Sequence, residues 1–165
     1  MLKYTICFLK RGHEVLMLNR SKPPGMGRWN GVGGKLEPGE TPEQNAFREI
    51  HEETGILVSD LVSAGHVHWI NAQGVMTGAH LFVANLPVDF QYAAPRDTAE
   101  GILAWKTADW LLDKQNKGII SHLQLYLGHV LEQRGRYEFV CTFNAKDEVV
   151  DFQVSELHNV PLTGA

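Results

Sequence analysis

The amino-acid sequence predicts an α/β (α+β) fold in which helices cover a mixed central sheet. Several segments are rich in aromatic and β-branched residues or alternate as strands do, and two others repeat apolar residues at helical spacing. Strands and helices follow one another in mixed order, which favours a mixed sheet between helices. The length of 165 residues suits one ordinary domain, so we expect residues 1–165 to form a single domain.

The first part of the chain is predicted to be a hairpin followed by a loop and a glycine-rich segment. Residues 2–9 read as a strand, and residues 13–19 return after a turn as its partner. Residues 21–27 (Ser-Lys-Pro-Pro-Gly-Met-Gly) are typical of a loop. Residues 31–36 contain three glycines, which predicts an extended backbone that comes close to another group.

The first helix is predicted from its start and stop signals. Thr41 suits the N-cap, Pro42 suits the first helical position, and Gln44 completes a capping box. The helix should run to about Thr54, because Gly55 is placed to end it.

The second half of the chain predicts three strands, one helix and a closing hairpin. These elements fall at residues 61–70, 75–86 and 101–105 for the strands, 118–133 for the helix, and 137–143 with 149–154 for the hairpin.

Composition limits the possible partners and compartment. The chain has 15 basic and 19 acidic residues, a formal charge of −4, which argues against binding nucleic acid or anionic membranes by bulk charge. It contains no run of 18 apolar residues, and its start lacks the features of a signal peptide. Cys7 and Cys141 both lie in apolar runs. We therefore expect a cytoplasmic protein with free thiols.

Acidic residues are concentrated in one segment, residues 35–53, which carries six carboxylates and two basic residues. Glu49, Glu52 and Glu53 are spaced i, i+3 and i+4, so they share one helix face and repel one another by a few tenths of a kcal/mol per pair. A solvated helix face is one interpretation. The other is a divalent cation among the carboxylates, and Mg²⁺ favours a few carboxylates with waters and phosphates. Arg48 is expected to pair with Glu40 and to fix the loop structurally.

The same segment resembles the Nudix box at every defining position. Gly34 is followed after five residues by Glu40, and after seven more by residues 48–56, Arg-Glu-Ile-His-Glu-Glu-Thr-Gly-Ile. Residues 27–35 are similar to the stretch before the box in MutT-type 8-oxo-dGTP diphosphatases. The resemblance implies an α/β/α sandwich of the Nudix type that hydrolyses a nucleoside diphosphate linked to another group.

The resemblance also implies roles for individual residues. Glu49, Glu52, Glu53 and the Gly33 carbonyl would hold Mg²⁺ or Mn²⁺, and Glu53 would bridge metals or orient the attacking water. Glu100 matches a carboxylate that serves related enzymes as a ligand or general base, although an exposed loop glutamate is the alternative. The candidate catalytic residues are therefore Glu52, Glu53 and Glu100.

Candidate substrate contacts are fewer and have structural alternatives. Asn30 offers a donor and an acceptor for a purine edge, or else forms a turn before glycine. Trp29 could stack on a base but also suits the core, and Lys35 could neutralise a phosphate, as could Arg20 or Arg28. Human-type enzymes of this subgroup contact the oxidised base through two adjacent aspartates, and here Asn116 can replace only one of them.

Three histidines form a separate pattern. His66 and His68 should point to one face of a strand, with His80 on its neighbour. Zinc is conceivable, but no cysteine or further ligand lies at suitable spacing in the sequence, so a structural or surface role is favoured.

The sequence leads to an expected function and its alternatives. We expect a Mg²⁺-dependent hydrolase, monomeric or homodimeric, that converts a nucleoside triphosphate, such as the oxidised purine 8-oxo-dGTP, to the monophosphate and pyrophosphate. The alternatives are a Nudix hydrolase for a pterin triphosphate, nucleotide sugar or capped RNA, and a nucleotide-binding module without turnover. The intact box glutamates disfavour the last.

Overall fold

The computed structural model describes residues 2–157, which form one mixed nine-stranded sheet and three helices. The strands are β1 (Tyr4–Arg11), β2 (Glu14–Arg20), β3 (Trp29–Asn30), β4 (Val62–Ile70), β5 (Met76–Leu86), β6 (Arg96–Thr98), β7 (Gly101–Thr107), β8 (Tyr137–Phe143) and β9 (Val149–Glu156). The helices are α1 (Pro42–Thr54), α2 (Ala108–Leu112) and α3 (Leu123–Glu132). Among the described residues, no helix is long and apolar enough to cross a membrane.

The sheet has the strand order β6-β7-β2-β1-β5-β4-β8-β9, with β3 paired to β2. The pairs β1–β5 and β4–β8 are parallel, and the other neighbours are antiparallel. The parallel pairs require crossover connections, and α1 and α3 lie in the connections between them. The mixed sheet predicted from the sequence is confirmed.

Helices pack on both faces of this sheet. Along β1, Ile6 and Phe8 face one layer, while Cys7 and Leu9 face the other, because successive side chains alternate across a strand. The first layer contains the apolar residues of α2 and α3, and the second contains Ile50 and Ala46 of α1. The fold is therefore an α/β/α sandwich, as predicted.

Helix α1 begins and ends as the sequence predicts. The Gln44 amide donates to Thr41 Oγ1 at 3.1 Å, and the Thr41 amide donates to Gln44 Oε1 at 2.9 Å. At the other end, Gly55 adopts φ +77°, and its amide donates to the His51 carbonyl at 2.8 Å. Both caps are local, and the Tyr92 hydroxyl adds a distant contact by donating to the Thr54 carbonyl at 2.6 Å.

A buried asparagine attaches α1 to the sheet. Asn45 accepts a hydrogen bond from the Thr5 hydroxyl of β1, and its Nδ2 donates to the Lys35 carbonyl at 2.9 Å. The Lys35 carbonyl belongs to the glycine-rich segment, so one side chain links β1, this segment and the helix. This link determines where the glutamates of α1 lie.

The structure differs from the sequence prediction in its short elements and in one helix start. Strands β3 and β6 and helix α2 were not predicted, and they contain only two, three and five residues. The helix predicted from residue 118 begins at Leu123. The reason is that the Gly118 carbonyl accepts from the Trp29 amide and the Ile120 amide donates to the Trp29 carbonyl, which keeps this backbone extended.

Candidate active site

The glycine-rich segment brings the backbone against the glutamates of α1. The Gly33 amide donates to Glu53 Oε2 at 2.9 Å. Gly33 has φ +151°, and a Cβ there would collide with the Thr5 carbonyl oxygen. At Gly34 a Cβ would lie 2.6 Å from the Glu49 carboxylate carbon. Only glycine permits this approach at Gly33, where the obstacle is backbone, whereas a side chain at Gly34 would displace the Glu49 carboxylate.

The carboxylates of Glu49 and Glu53 lie one helical turn apart beside this segment. Burial, together with the charges of Glu49 and Glu100, raises the pKa of Glu53 to about 8, although the Gly33 hydrogen bond opposes the shift. Burial also raises the pKa of Glu49. A folded protein holds partly buried like charges together only at a cost in stability, and a cation among them removes that cost. These oxygen donors fit a hard divalent ion such as Mg²⁺.

The third glutamate of the predicted face has a different environment. The Glu52 side chain is 57% exposed, and its Oε2 lies 3.0 Å from Arg48 Nη1. Glu100, at the turn before β7, lines the same cavity as Glu53. The structure therefore brings Glu53 and Glu100 together and places Glu52 at the solvent-exposed side of the helix.

Arg48 is the cation at the centre of the acidic segment. Its Nε donates to Glu40 Oε1 at 3.0 Å, and its Nη2 donates to Glu40 Oε2 at 3.1 Å. Nη1 also lies 3.2 Å from Glu49 Oε1. The hydrogen bonds from Arg48 hold the pKa of Glu40 below its ordinary value. The predicted pairing of Arg48 with Glu40 is confirmed, and it connects the loop before α1 to the helix.

A cavity of about 460 Å³ opens beside the glutamates. Two groups of side chains line it, together with the glycine-rich backbone. The charged group consists of Glu53, Glu100, Arg20 and Lys35. The uncharged group consists of Tyr4, Asn30, Trp69, Ile120 and His122. Carboxylates, cations and aromatic rings thus share one concave site.

The aromatic residues of the cavity contact one another. The Trp69 ring lies 6.5 Å from Tyr4 and 5.6 Å from His122, measured between centroids. Burial lowers the pKa of His122 to about 4, so this imidazole is neutral at pH 7. Asn30 Oδ1 accepts from the Gly31 amide at 2.8 Å, which orients its amide at the cavity wall.

Two sequence-predicted substrate contacts lie elsewhere. Trp29 precedes Asn30 in β3, so its side chain faces the opposite way, and its ring packs against Trp110 at 6.5 Å. Asn116 donates to the Trp110 carbonyl at 2.9 Å and accepts from the Gly118 amide at 3.0 Å. Neither residue lines the cavity that holds Glu53.

Sequence reasoning did not single out Tyr4 or His122 as site residues. Tyr4 has the pattern of an ordinary strand residue, and His122 lies in a segment predicted to be helical. Tyr4 is placed by the pairing of β1 with β5, and His122 follows the pairing of residues 118–120 with Trp29, neither of which a local signal reveals.

The fold and the carboxylate-bearing helix define the class of protein, a Nudix domain. The NUDIX domain family model matches residues 3–123, which is most of the chain. The protein therefore belongs to the Nudix family.

Individual relatives agree with this assignment. The chain is 33% identical over 108 residues, 64% of its length, to the oxidized purine nucleoside triphosphate hydrolase of Mus musculus. It is 37% identical over 75 residues, 44% of its length, to the NAD-capped RNA hydrolase NudC of Haemophilus influenzae. The matches span 66% and 28% of those relatives' own lengths.

Solved structures share the fold. A MutT protein from Bacillus halodurans superposes with a TM-score of 0.78 at 23% identity, covering 94% of this chain and 98% of that one. This likeness confirms the architecture over nearly the whole chain.

Proposed function

We propose that this protein is a Mg²⁺-dependent hydrolase of nucleoside triphosphates, with an oxidised purine such as 8-oxo-dGTP as its substrate. The products would be the nucleoside monophosphate and pyrophosphate, which would remove oxidised nucleotides from the precursor pool. The proposal treats residues 1–165 as one hydrolase domain. The observation that carries it is a single cavity in which partly buried carboxylates adjoin cations and an aromatic group. The name of the mouse relative supports the oxidised purine.

The carboxylates would hold the metal. Glu49 and Glu53 would be its main ligands, with Glu52, Glu100 and the Gly33 carbonyl as further candidates, and Mn²⁺ would bind the same oxygen donors. When bound, such an ion neutralises phosphate charge and lowers the pKa of coordinated water. The Gly33 amide donates to Glu53 Oε2 at 2.9 Å, and Glu100, which lines the same cavity, would accept a proton. Catalysis would then rest on positioning and electrostatics rather than on a covalent nucleophile.

The remaining cavity residues suit a triphosphate and a base. Arg20 and Lys35 carry positive charge next to Glu53 and Glu100, where outer phosphate oxygens would lie. Tyr4 and Trp69 offer apolar ring surface of the kind that nucleoside pockets use. The Asn30 amide can donate to and accept from a purine edge. Base recognition would rest on Asn30, because Asn116 lies outside the cavity.

A substrate panel at one Mg²⁺ concentration tests the proposal. The panel contains 8-oxo-dGTP, dGTP, a pyrimidine triphosphate, a nucleotide sugar and NAD-capped RNA, with release of pyrophosphate and of phosphate measured separately. We expect the highest kcat/KM for the oxidised purine, with pyrophosphate as the product. A preference for NAD-capped RNA would favour the activity named in the Haemophilus relative instead. An absence of turnover on every substrate would favour a binding module.

A pair of asparagine variants tests base recognition. Loss of a buried hydrogen-bond partner costs about 1–3 kcal/mol, so Asn30→Ala should raise KM for the preferred purine by roughly 5- to 100-fold. Turnover at saturation should fall much less, since the carboxylates are untouched. Asn116→Ala is the matched control and should leave KM near the wild-type value. If Asn30→Ala weakens all triphosphates equally, Asn30 shapes the loop and does not read the base.

Two further features complete the proposal. Cys7 and Cys141 are both free and buried, which supports a reducing compartment such as the cytoplasm. The protein would act as a monomer or a homodimer.

A further inference from the structure

A second cluster of metal-ligand side chains lies on the sheet, away from the cavity. Val67 of β4 packs in the core layer that contains α3, so His66 and His68 on either side of it face the opposite layer. The parallel pairing of β4 with β8 sets Glu138 directly beside His66. The antiparallel pairing of β4 with β5 sets His80 on the other side of His66.

The geometry of three of these side chains is that of a ligand set. One ligand atom from each of His66, His68 and Glu138 lies within 4.8 Å of the other two. Among residues 2–157, this is the one group of histidine, cysteine and acidic side chains that meets this distance. His68 Nε2 lies 2.7 Å from Glu138 Oε1. The sequence offered no further ligand near the histidines, and the fold supplies one from 70 residues away.

The contact between His68 and Glu138 leaves an imidazole nitrogen without a hydrogen bond. His68 Nε2 is buried, yet it makes no hydrogen bond of acceptable geometry with any described residue. Either a proton or a metal ion can join this nitrogen to the Glu138 carboxylate, and only a metal ion can also bond to the second imidazole. A metal ion bonded to all three would satisfy every one of these atoms.

We propose that His66, His68 and Glu138 bind a divalent transition-metal ion, with Zn²⁺ as the best-fitting ion. Two imidazoles and one carboxylate form a donor set that zinc uses with three protein ligands and one solvent position. Tetrahedral bonds of about 2.0–2.2 Å place ligand atoms roughly 3.3 Å apart, and rotation of the partly exposed Glu138 and His66 side chains closes the gap from the observed separations. The site differs in chemistry from the oxygen-only carboxylates of α1, which favour Mg²⁺.

The proposed site is independent of the proposed hydrolase function. None of its three ligands lines the cavity that contains Glu53 and Glu100. Bound metal would join β4 to β8, strands whose segments are far apart in the chain, and would therefore stabilise the outer half of the sheet. The stabilisation follows from mass action, because the unfolded chain does not hold the three ligands together.

Zinc titration of the full chain tests the proposal. The protein is prepared without a histidine tag and kept in saturating Mg²⁺, so that the α1 carboxylates are occupied. Calorimetry with ZnCl₂ should show one site per chain, and Co²⁺ should give the visible absorption of a tetrahedral site. His68→Gln and Glu138→Gln should each weaken zinc binding by about 100-fold or more, since even the loss of an outer-shell partner of a metal ligand costs 10–100-fold.

Control variants distinguish zinc binding at this site from binding to a surface histidine and from binding at the candidate active site. His13→Gln removes an exposed histidine elsewhere on the surface and should leave zinc affinity unchanged. Glu53→Gln alters the candidate active site and should also leave it unchanged. Glu138→Gln keeps the size of a side chain that is 39% exposed, so loss of binding there does not reflect unfolding. If zinc binding survives both ligand variants, or is lost in Glu53→Gln, the proposal is overturned.

Discussion

The buried charge of Glu53 gives the sharpest test of the candidate active site. Burial and two neighbouring carboxylates raise its pKa from 4.5 to about 8 in the metal-free protein. This difference corresponds to roughly 5 kcal/mol, an upper limit because the carboxylate borders an open cavity. Glu53→Gln removes the charge, keeps the size and still offers an oxygen to the Gly33 amide. The variant should therefore be more stable than wild type at high pH.

The sign of the pH dependence follows from the raised pKa. Below about pH 4.5 Glu53 is protonated in both the folded and the unfolded state, so its burial costs no stability. As the pH rises from there through about 8, the unfolded state loses this proton first and the folded protein loses stability. Melting temperatures measured in EDTA should thus be similar for both proteins at pH 5. The variant should melt several degrees higher at pH 9, at about 2–4 °C per kcal/mol for a chain of this size.

Two additions make the experiment decisive. Glu52→Gln removes the same charge from a side chain that is 57% exposed and should show little pH-dependent gain. Saturating Mg²⁺ should raise the melting temperature of wild type more than that of Glu53→Gln, and the variant should lose turnover by orders of magnitude. A melting difference that is equal at pH 5 and pH 9, or wild-type turnover in the variant, would refute the reasoning.

The other predictions concern Arg48 and Gly34. Arg48→Ala frees the Glu40 carboxylate and should lower the free energy of unfolding by about 1–3 kcal/mol, as denaturant titration measures, with a parallel loss of activity. Unchanged stability would reassign Arg48 to phosphate contact. Gly34→Ala should displace Glu49 and reduce kcat about 100-fold. Gly128→Ala is the control, because a Cβ there meets nothing closer than 3.9 Å, and it should keep full activity. Loss of activity in Gly128→Ala would contradict the interpretation that Gly34→Ala acts by displacing Glu49.

The parts of the fold that the sequence predicts are those whose causes are local. Thr41, Gln44 and Gly55 fix the ends of α1 through hydrogen bonds that span at most four residues, so the pattern and the structure agree. The Nudix box lies within the same short segment, and its Arg48–Glu40 pair spans eight residues. Local spacing was therefore enough to name the glutamates.

The features that the sequence did not predict depend on distant pairings. The extended backbone before α3 results from hydrogen bonds to Trp29, about 90 residues earlier in the chain. The position of Glu138 beside His66 results from the parallel register of β4 and β8. Periodicity reports which residues share a face within one element, but it does not report which strands become neighbours in the sheet.

The properties of the α1 glutamates depend both on local helical spacing and on packing against distant parts of the chain. Helical spacing places Glu49, Glu52 and Glu53 on one side of the helix, yet only Glu53 has its pKa raised to about 8. The difference arises because Asn45 holds the helix against β1 and the glycine-rich backbone, so that Glu53 is buried next to Gly33 while Glu52 remains in solvent beside Arg48. The sequence can name the carboxylates, but their charge states depend on which of them the sheet buries. A bound cation would remove the free-energy cost of burying the Glu53 charge.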